Sequence, residues 1–171
     1  MRTQGVYEKM IKCKPERDPK KAVLLIGFFA VLALVTAACS TTSASYHGIY
    51  QISFVAVLAV GINMVVRYTM TEMEYTLTED SFEVRKKVGN KVTLVCSLAL
   101  SETVVLTDKK SYQKNASEYG YITRKYNFNQ NICAASAIYV CEFNGKRMLV
   151  EFEPNRAFYD CFQQKISENK K

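Results

Sequence analysis

Residues 22–39 read AVLLIGFFAVLALVTAAC, and residues 49–66 read IYQISFVAVLAVGINMVV. Neither run contains an acidic or basic residue. Each is about 18 residues long, which is roughly 27 Å as a helix and close to the hydrocarbon thickness of a bilayer. The two runs therefore predict a two-helix transmembrane hairpin over residues 22–68. Gly27 and Gly61 suit close packing of its helices.

Charges at the ends of the hairpin predict its orientation. Lys20 and Lys21 precede the first helix and Arg67 follows the second, whereas the turn Ser40–Gly48 contains no Lys or Arg. Positively charged flanks remain on the cytoplasmic side of a membrane. We therefore expect a multi-pass protein with both termini in the cytoplasm and the single histidine, His47, on the outer side.

The net charge of +7 is concentrated in residues 1–21. That segment holds seven basic residues against three acidic ones, whereas residues 68–171 hold fifteen against thirteen. Anionic lipid headgroups account for a basic tail beside a membrane helix, so we expect no nucleic-acid partner. With two prolines, alternating charges and few apolar residues, residues 1–21 are predicted to form a mostly disordered cytoplasmic tail.

The first apolar run also permits a different interpretation. Lys20 and Lys21, the apolar stretch and then Thr36–Ser40 resemble a bacterial lipoprotein signal, in which Cys39 would carry the lipid and become the mature N-terminus. Thr36 stands where such signals usually have Leu, and a second full-length span follows nine residues after Cys39. If this alternative holds, the domain after the hairpin is extracellular.

From residue 69 onward the apolar pattern has a period of two, which is typical of β-strands. The segments are short and rich in β-branched and aromatic residues. Asn144-Gly145 is a strong signal for a two-residue hairpin turn, because both residues tolerate positive φ. Seven strands are predicted, at Glu74–Thr78, Phe82–Lys86, Lys91–Cys96, Glu102–Thr107, Tyr121–Phe128, Ala137–Phe143 and Lys146–Phe152.

Two further segments complete the predicted domain. Asp108–Gly120 is polar and is predicted to be a loop. A helix is predicted at about residues 154–168, because Phe158, Cys161, Phe162 and Ile166 recur on one helical face. Together these elements predict a membrane-anchored α+β protein, whose closed or nearly closed antiparallel sheet is covered by a C-terminal helix.

This order of elements resembles the pleckstrin-homology-like (PH-like) fold. It is most similar to small bacterial membrane proteins in which two transmembrane helices precede a PH-like domain, the YcxB-like group among them. The residues that carry the resemblance are Tyr75–Val84 (YTLTEDSFEV), Val92–Val95 with Ser97–Val104, and Gly145–Phe158. Leu98, within a Leu-Ala-Leu run, and the long Asp108–Gly120 segment depart from the pattern.

The resemblance implies a PH-like antiparallel β-barrel or sandwich of about seven strands over residues 69–171, at the inner membrane of a bacterium. It implies no reaction. Members of these families are mostly uncharacterised, so the resemblance alone assigns neither a ligand nor an oligomeric state.

The residues offer little for catalysis or metal binding. Under the expected topology, His47 lies across the membrane from five of the six cysteines, which excludes a Cys-His enzyme. Cys133, Cys141 and Cys161 lack zinc-site spacing, and cytoplasmic cysteines should be free thiols. One acidic pair, Glu79-Asp80, lies in a predicted turn, and the other, Glu151 and Glu153, is expected on the exposed face of a strand. We therefore expect no catalytic, cofactor or metal site.

Two basic clusters remain as candidate contact sites for lipid or a partner: Arg85, Lys86 and Lys87 before the Gly89 turn, and Lys109 with Lys110 in the polar loop. The expected function is a non-enzymatic, membrane-tethered interaction or regulatory module with an unidentified protein partner. The alternatives are a module that senses anionic lipid through Arg85–Lys87, an accessory subunit of a membrane enzyme or transporter, and a lipoprotein with an extracellular domain.

Overall fold

The computed structural model describes residues 10–42, 46–132 and 134–169, and the chain divides into two units. One unit extends from Arg17 to Thr71. The other combines the residues up to Glu16 with those from Glu72 onward. The β-domain therefore includes a segment from before the hairpin, which the boundary predicted at residue 69 does not anticipate.

The hairpin unit contains two helices, α1 (Pro19–Thr42) and α2 (His47–Val65), and α2 continues into a π-helical turn, Val66–Met70. Asp18 Oδ1 accepts a hydrogen bond from the backbone N–H of Lys20 at 3.1 Å, which fixes the start of α1 just before Pro19. Both helices are long and apolar enough to cross a membrane, judged by length and composition alone.

The two helices make close contact at one of the glycines. A Cβ built on Gly61 would lie 3.0 Å from the ring of Phe29, so the absent side chain allows the helices to approach. The same construction on Gly27 meets no atom within 4 Å. Within the described part of both helices, Gly61 is the only buried residue, and the remaining surface is largely exposed and apolar.

The β-domain unit consists of two four-stranded sheets that do not close into a barrel. The first sheet has the order β1-β2-β3-β4 and the second has the order β5-β7-β8-β6. The strands are β1 (Ile11–Cys13), β2 (Thr71–Leu77), β3 (Ser81–Val88), β4 (Lys91–Ala99), β5 (Thr103–Asp108), β6 (Arg124–Asn127), β7 (Ala137–Phe143) and β8 (Lys146–Phe152).

Strand β1 corrects the prediction that residues 1–21 are a mostly disordered tail with too few apolar residues to bury. Ile11 pairs with Leu77 and Cys13 with Tyr75 in an antiparallel ladder, and Cys13 is 3% exposed. A strand of three residues needs little apolar pattern of its own, because the backbone of β2 supplies its partners. Residues 1–9 of the predicted tail lie outside the described residues.

The prediction of a purely antiparallel sheet is wrong for β6, which pairs with β8 in parallel, Arg124 opposite Met148 and Asn127 opposite Glu151. The predicted loop after β5 instead contains helix α3 (Lys109–Lys114) and a 3-10 turn, Ala116–Tyr119. This segment connects β5 to β6, which run in the same direction because both run opposite to β7. Two strands of the same direction in one sheet need such a crossover.

Two of the turns predicted from the sequence connect hairpin strands in the structure. Asn144 (φ 51°) and Gly145 (φ 69°) connect β7 to β8, with Phe143 paired to Lys146. Gly89, at φ 58°, and Asn90 connect β3 to β4, with Val88 paired to Lys91. These left-handed conformations explain why the turns contain Asn and Gly.

Helix α4 (Arg156–Asn169) packs against the core of the β-domain, as the spacing of its apolar residues predicts. Phe158, Phe162 and Ile166 are buried. The ring centroids of Phe82 and Phe162 are 4.9 Å apart, and so are those of Phe82 and Phe152. This aromatic cluster packs both sheets against α4 and so holds these elements in place relative to one another.

Candidate functional site

The first predicted cluster, Arg85–Lys87, lies in β3 on the first sheet. Arg85 Nη2 donates to Glu83 Oε2 at 3.0 Å, and Lys87 Nζ lies 3.8 Å from Glu72 Oε2. No ion pair of Lys86 is found among the described residues. Two of the three basic side chains therefore have acidic partners within the same sheet.

The same sheet carries two further ion pairs. Lys12 of β1 lies 3.6 Å from Glu74, and Lys14 lies 2.7 Å from Glu72. The two glutamates of β2 are thus paired with basic side chains from β1, from the residue that follows β1 and from β3. The arrangement reduces the net positive charge that Arg85–Lys87 present to a ligand.

The second predicted cluster begins helix α3. Asp108 caps this helix, because its Oδ1 accepts hydrogen bonds from the backbone N–H groups of Lys110 and Ser111, each at 2.9 Å. The side-chain hydrogen bond from Ser111 is the largest influence that lowers the pKa of the Asp108 carboxyl. Lys109 and Lys110 are consequently held in the first turn of a helix and not in a loop.

Lys109 and Lys110 line a cleft of about 560 Å³ in the β-domain. Its walls come from three places: the start of α3, the segment leading into β7, and the connection from β8 to α4. The residues that line it are Asp108, Lys109, Lys110, Gln113, Ala134, Ala135, Ser136, Ala137, Pro154, Asn155, Arg156 and Tyr159.

Glu151 contacts Lys109 of this cleft, and its prediction as an exposed strand residue is wrong. Its side chain is 14% exposed, and its Oε1 accepts from Lys109 Nζ at 2.7 Å and from Asn129 Nδ2 at 3.0 Å. Burial by itself raises the pKa of the Glu151 carboxyl. Hydrogen bonds from Lys109, Ser136 and Asn129 outweigh burial and hold the pKa below its ordinary value.

Sequence reasoning missed the polar segment that closes one side of this region, Asn129–Asn131. The side chain of Asn129 donates to Ser136 Oγ at 2.8 Å, and Gln130 Oε1 accepts from the backbone N–H of Met73 at 2.7 Å. Asn131 donates to both carboxylate oxygens of Glu153. The available signal was the run of amides in NFNQN, because buried amide side chains need hydrogen-bond partners.

The cysteines form no metal-ligand cluster in the described part of the chain, and the five described cysteines are free. Burial raises the pKa of Cys96 to about 11 and that of Cys141 to about 12. Burial likewise raises the pKa of Cys13. Such thiols are poor nucleophiles and metal ligands. Cys133 lies outside the described residues.

The predicted membrane-flanking residues lie at the ends of the helices. Lys20 and Lys21 are in the first turn of α1, and Arg67 follows α2, its guanidinium 5.5 Å from the ring centroid of Tyr68. Basic and aromatic side chains at these positions are typical of membrane interfaces.

A family model described as "Bacterial PH-like domain (DUF6106)" matches residues 4–170. The match covers β1, the hairpin and the β-domain together. A comparison with curated proteins gives no match.

Proposed function

Since the chain belongs to the bacterial PH-like domain family, we propose that it is a non-enzymatic, membrane-tethered module that presents its PH-like domain at the inner leaflet to a protein partner. The observation that carries the proposal is the pairing of β1 with β2. The apolar hairpin is inserted between two hydrogen-bonded strands of one domain, so the chain leaves that domain and returns to it.

This connectivity restricts how the helices can lie in a membrane. Strands β1 and β2 can pair only if both ends of the hairpin emerge on one side, which two spans allow and a single span does not. Basic Lys20, Lys21 and Arg67 at those ends favour the cytoplasmic side. The lipoprotein alternative receives less support, because cleavage before Cys39 would remove β1 and expose the edge of β2.

The anionic-lipid alternative relies on Arg85–Lys87 and also receives less support. Contact with anionic lipid contributes about 1 kcal/mol for each Lys or Arg near the surface. Arg85 and Lys87 already have carboxylate partners at 3.0 and 3.8 Å, so lipid would have to compete with Glu83 and Glu72. This leaves Lys86 as the strongest candidate of the three for a lipid contact.

The topology is tested by labelling two single cysteines with a membrane-impermeant maleimide in intact cells and after lysis. Tyr46→Cys lies between the two helices, and Ser101→Cys lies on an exposed turn of the β-domain. The background replaces Cys39, Cys133 and Cys161 by Ala, and this background alone is the control for residual labelling of Cys13, Cys96 and Cys141.

We expect labelling at position 46 in intact cells and at position 101 only after lysis. The reverse pattern would place the β-domain outside and refute presentation at the inner leaflet. Purification from cells in mild detergent then tests the partner. A stoichiometric membrane enzyme or transporter in the purified complex would favour the accessory-subunit alternative over an independent module.

A further inference from the structure

The cleft beside α3 and α4 has features that neither the family nor the proposed function assigns. Its volume of about 560 Å³ lies within the range of small-molecule sites, roughly 300–1,000 Å³. Ala134, Ala135 and Ala137 are among its lining residues, and their short side chains occupy little space. Pro154 and the half-buried Tyr159 add further apolar surface to the lining.

The charges around the cleft divide into two groups. Lys109 is paired with Glu151 at 2.7 Å, and the Asp108 carboxylate accepts from backbone N–H groups of α3. The charges of these two residues are therefore engaged within the protein. Lys110 and Arg156 are exposed, and no ion pair of either is found within residues 10–42, 46–132 and 134–169.

We propose that this cleft binds a small amphipathic organic anion. Its carboxylate or phosphate head is met by Lys110 and Arg156, and its apolar part lies against Ala134, Pro154 and Tyr159. Charge-assisted hydrogen bonds from Lys and Arg are strong enough to orient such a head group. The proposal does not depend on membrane topology, because every lining residue belongs to the β-domain unit.

Two sources supply this chemistry: a single-chain lipid and a soluble organic acid. The volume is too small for a nucleic acid or a folded protein. The test therefore uses octyl phosphate as the lipid-like probe and phenyl phosphate as the soluble probe. Inorganic phosphate serves as a head group alone, and 1-octanol as an apolar chain alone.

The chain contains no tryptophan, so Tyr159→Trp introduces a single fluorescent reporter into the wall of the cleft. The full-length Y159W protein is reconstituted in nanodiscs of zwitterionic lipid and titrated with each probe. Two changes are made in this background. K110A/R156A removes the unpaired charges, and A135F fills the cleft at an exposed position without altering its charge. K91A/K125A, at exposed lysines away from the cleft, is the matched control.

We expect a saturable change in emission with at least one of the two organic phosphates. K110A/R156A and A135F should each weaken binding at least ten-fold, and K91A/K125A should change it less than two-fold. Tighter binding of octyl phosphate identifies a lipid-like ligand, and tighter or equal binding of phenyl phosphate identifies a soluble acid.

Three results would overturn the proposal: no saturable response to either organic phosphate, binding that K110A/R156A leaves unchanged, or equal binding of inorganic phosphate. Circular dichroism of every variant establishes that it is folded. If A135F does not fold, A135L provides a smaller obstruction with the same expected direction. The topology experiment is independent, so failure of either proposal is distinguishable from failure of the other.

Discussion

Lys109 Nζ lies 2.7 Å from Glu151 Oε1, and this ion pair joins the first turn of α3 to strand β8, 42 residues further along the chain. Asn129 donates to the same oxygen at 3.0 Å. A largely buried carboxylate thus connects the helix that carries the predicted Lys109-Lys110 pair with the polar segment before β7.

We predict that Glu151→Gln destabilises the β-domain in a pH-dependent manner. The pKa of Glu151 is lowered from its ordinary value of 4.5, so its ionised form stabilises the folded state. That stabilisation is fully present above about pH 4.5 and is lost as the pH falls through the lowered folded-state value. At pH 7 we expect a cost of about 1–3 kcal/mol, typical of hydrogen bonds to charged groups.

Urea denaturation of the full-length protein, followed by the near-ultraviolet circular dichroism of its tyrosines, measures this difference at pH 7 and pH 3.5. Glu118→Gln, at an exposed position, is the matched control and should have little effect at either pH. A wild-type advantage over E151Q that is the same at both pH values would contradict the assigned role of the carboxylate.

Strand β1 leads to a second prediction. Cys13 is 3% exposed and its Sγ accepts from the backbone N–H of Asn155 at 3.4 Å. Cys13→Asp places a charge in the core and should destabilise the domain by more than about 3 kcal/mol. Lys12→Gln, on the opposite face of the same strand, loses only an exposed ion pair and should cost less than about 1 kcal/mol.

Chemical denaturation of both variants in the full chain provides the comparison. If Cys13→Asp were as stable as Lys12→Gln, β1 would not be an integral strand of the domain, and the argument that the hairpin is inserted between paired strands would lose its basis.

Much of the fold could be predicted because it follows from local pattern. The period of two identified seven strands, Asn144-Gly145 identified a turn, and the spacing of Phe158, Phe162 and Ile166 identified the buried face of α4. Strand β1 could not be found in this way, because three residues carry no period and their partners are 62 to 66 residues away across an apolar hairpin. The parallel pairing of β6 also depends on a long-range crossover.

The candidate site was predicted only in part, for a related reason. Lys109 and Lys110 were identified as charges, but their companions, Arg156 and Glu151, come from distant positions in the sequence. Glu151 alternates with apolar residues along β8, which is the pattern of an exposed position. It is covered because α3 and the amide-rich segment pack over that face, and neither interaction leaves a periodic signal.

The raised pKa values of two thiols lead to a third prediction, on reactivity. Burial raises the pKa of Cys96 from 9.0 to about 11, which lowers its thiolate fraction near pH 8 about 100-fold. A thiolate of higher pKa is also more nucleophilic, which offsets part of this loss, so Cys96 and Cys141 should react with a disulfide reagent at least about ten-fold more slowly in the folded protein than in urea. Mass spectrometry of the labelled peptides measures each site, and Cys161, which is half-buried like Cys96, serves as the internal comparison. Equal rates for Cys96 in the folded and unfolded states would contradict its raised pKa.

The hairpin contact leads to the last prediction. A Cβ at position 61 would lie 3.0 to 3.2 Å from three atoms of Phe29, whereas one at position 27 would meet nothing within 4 Å. Gly61→Leu should therefore separate α1 from α2, while Gly27→Leu, a substitution of identical chemistry in the same hairpin, should leave them in contact.

Disulfide cross-linking between cysteines introduced on facing positions of the two helices reports this contact in the full-length protein in membranes. We expect at least a several-fold loss of cross-linking in G61L and little change in G27L. Equal cross-linking in the two variants would refute close packing of Gly61 against Phe29.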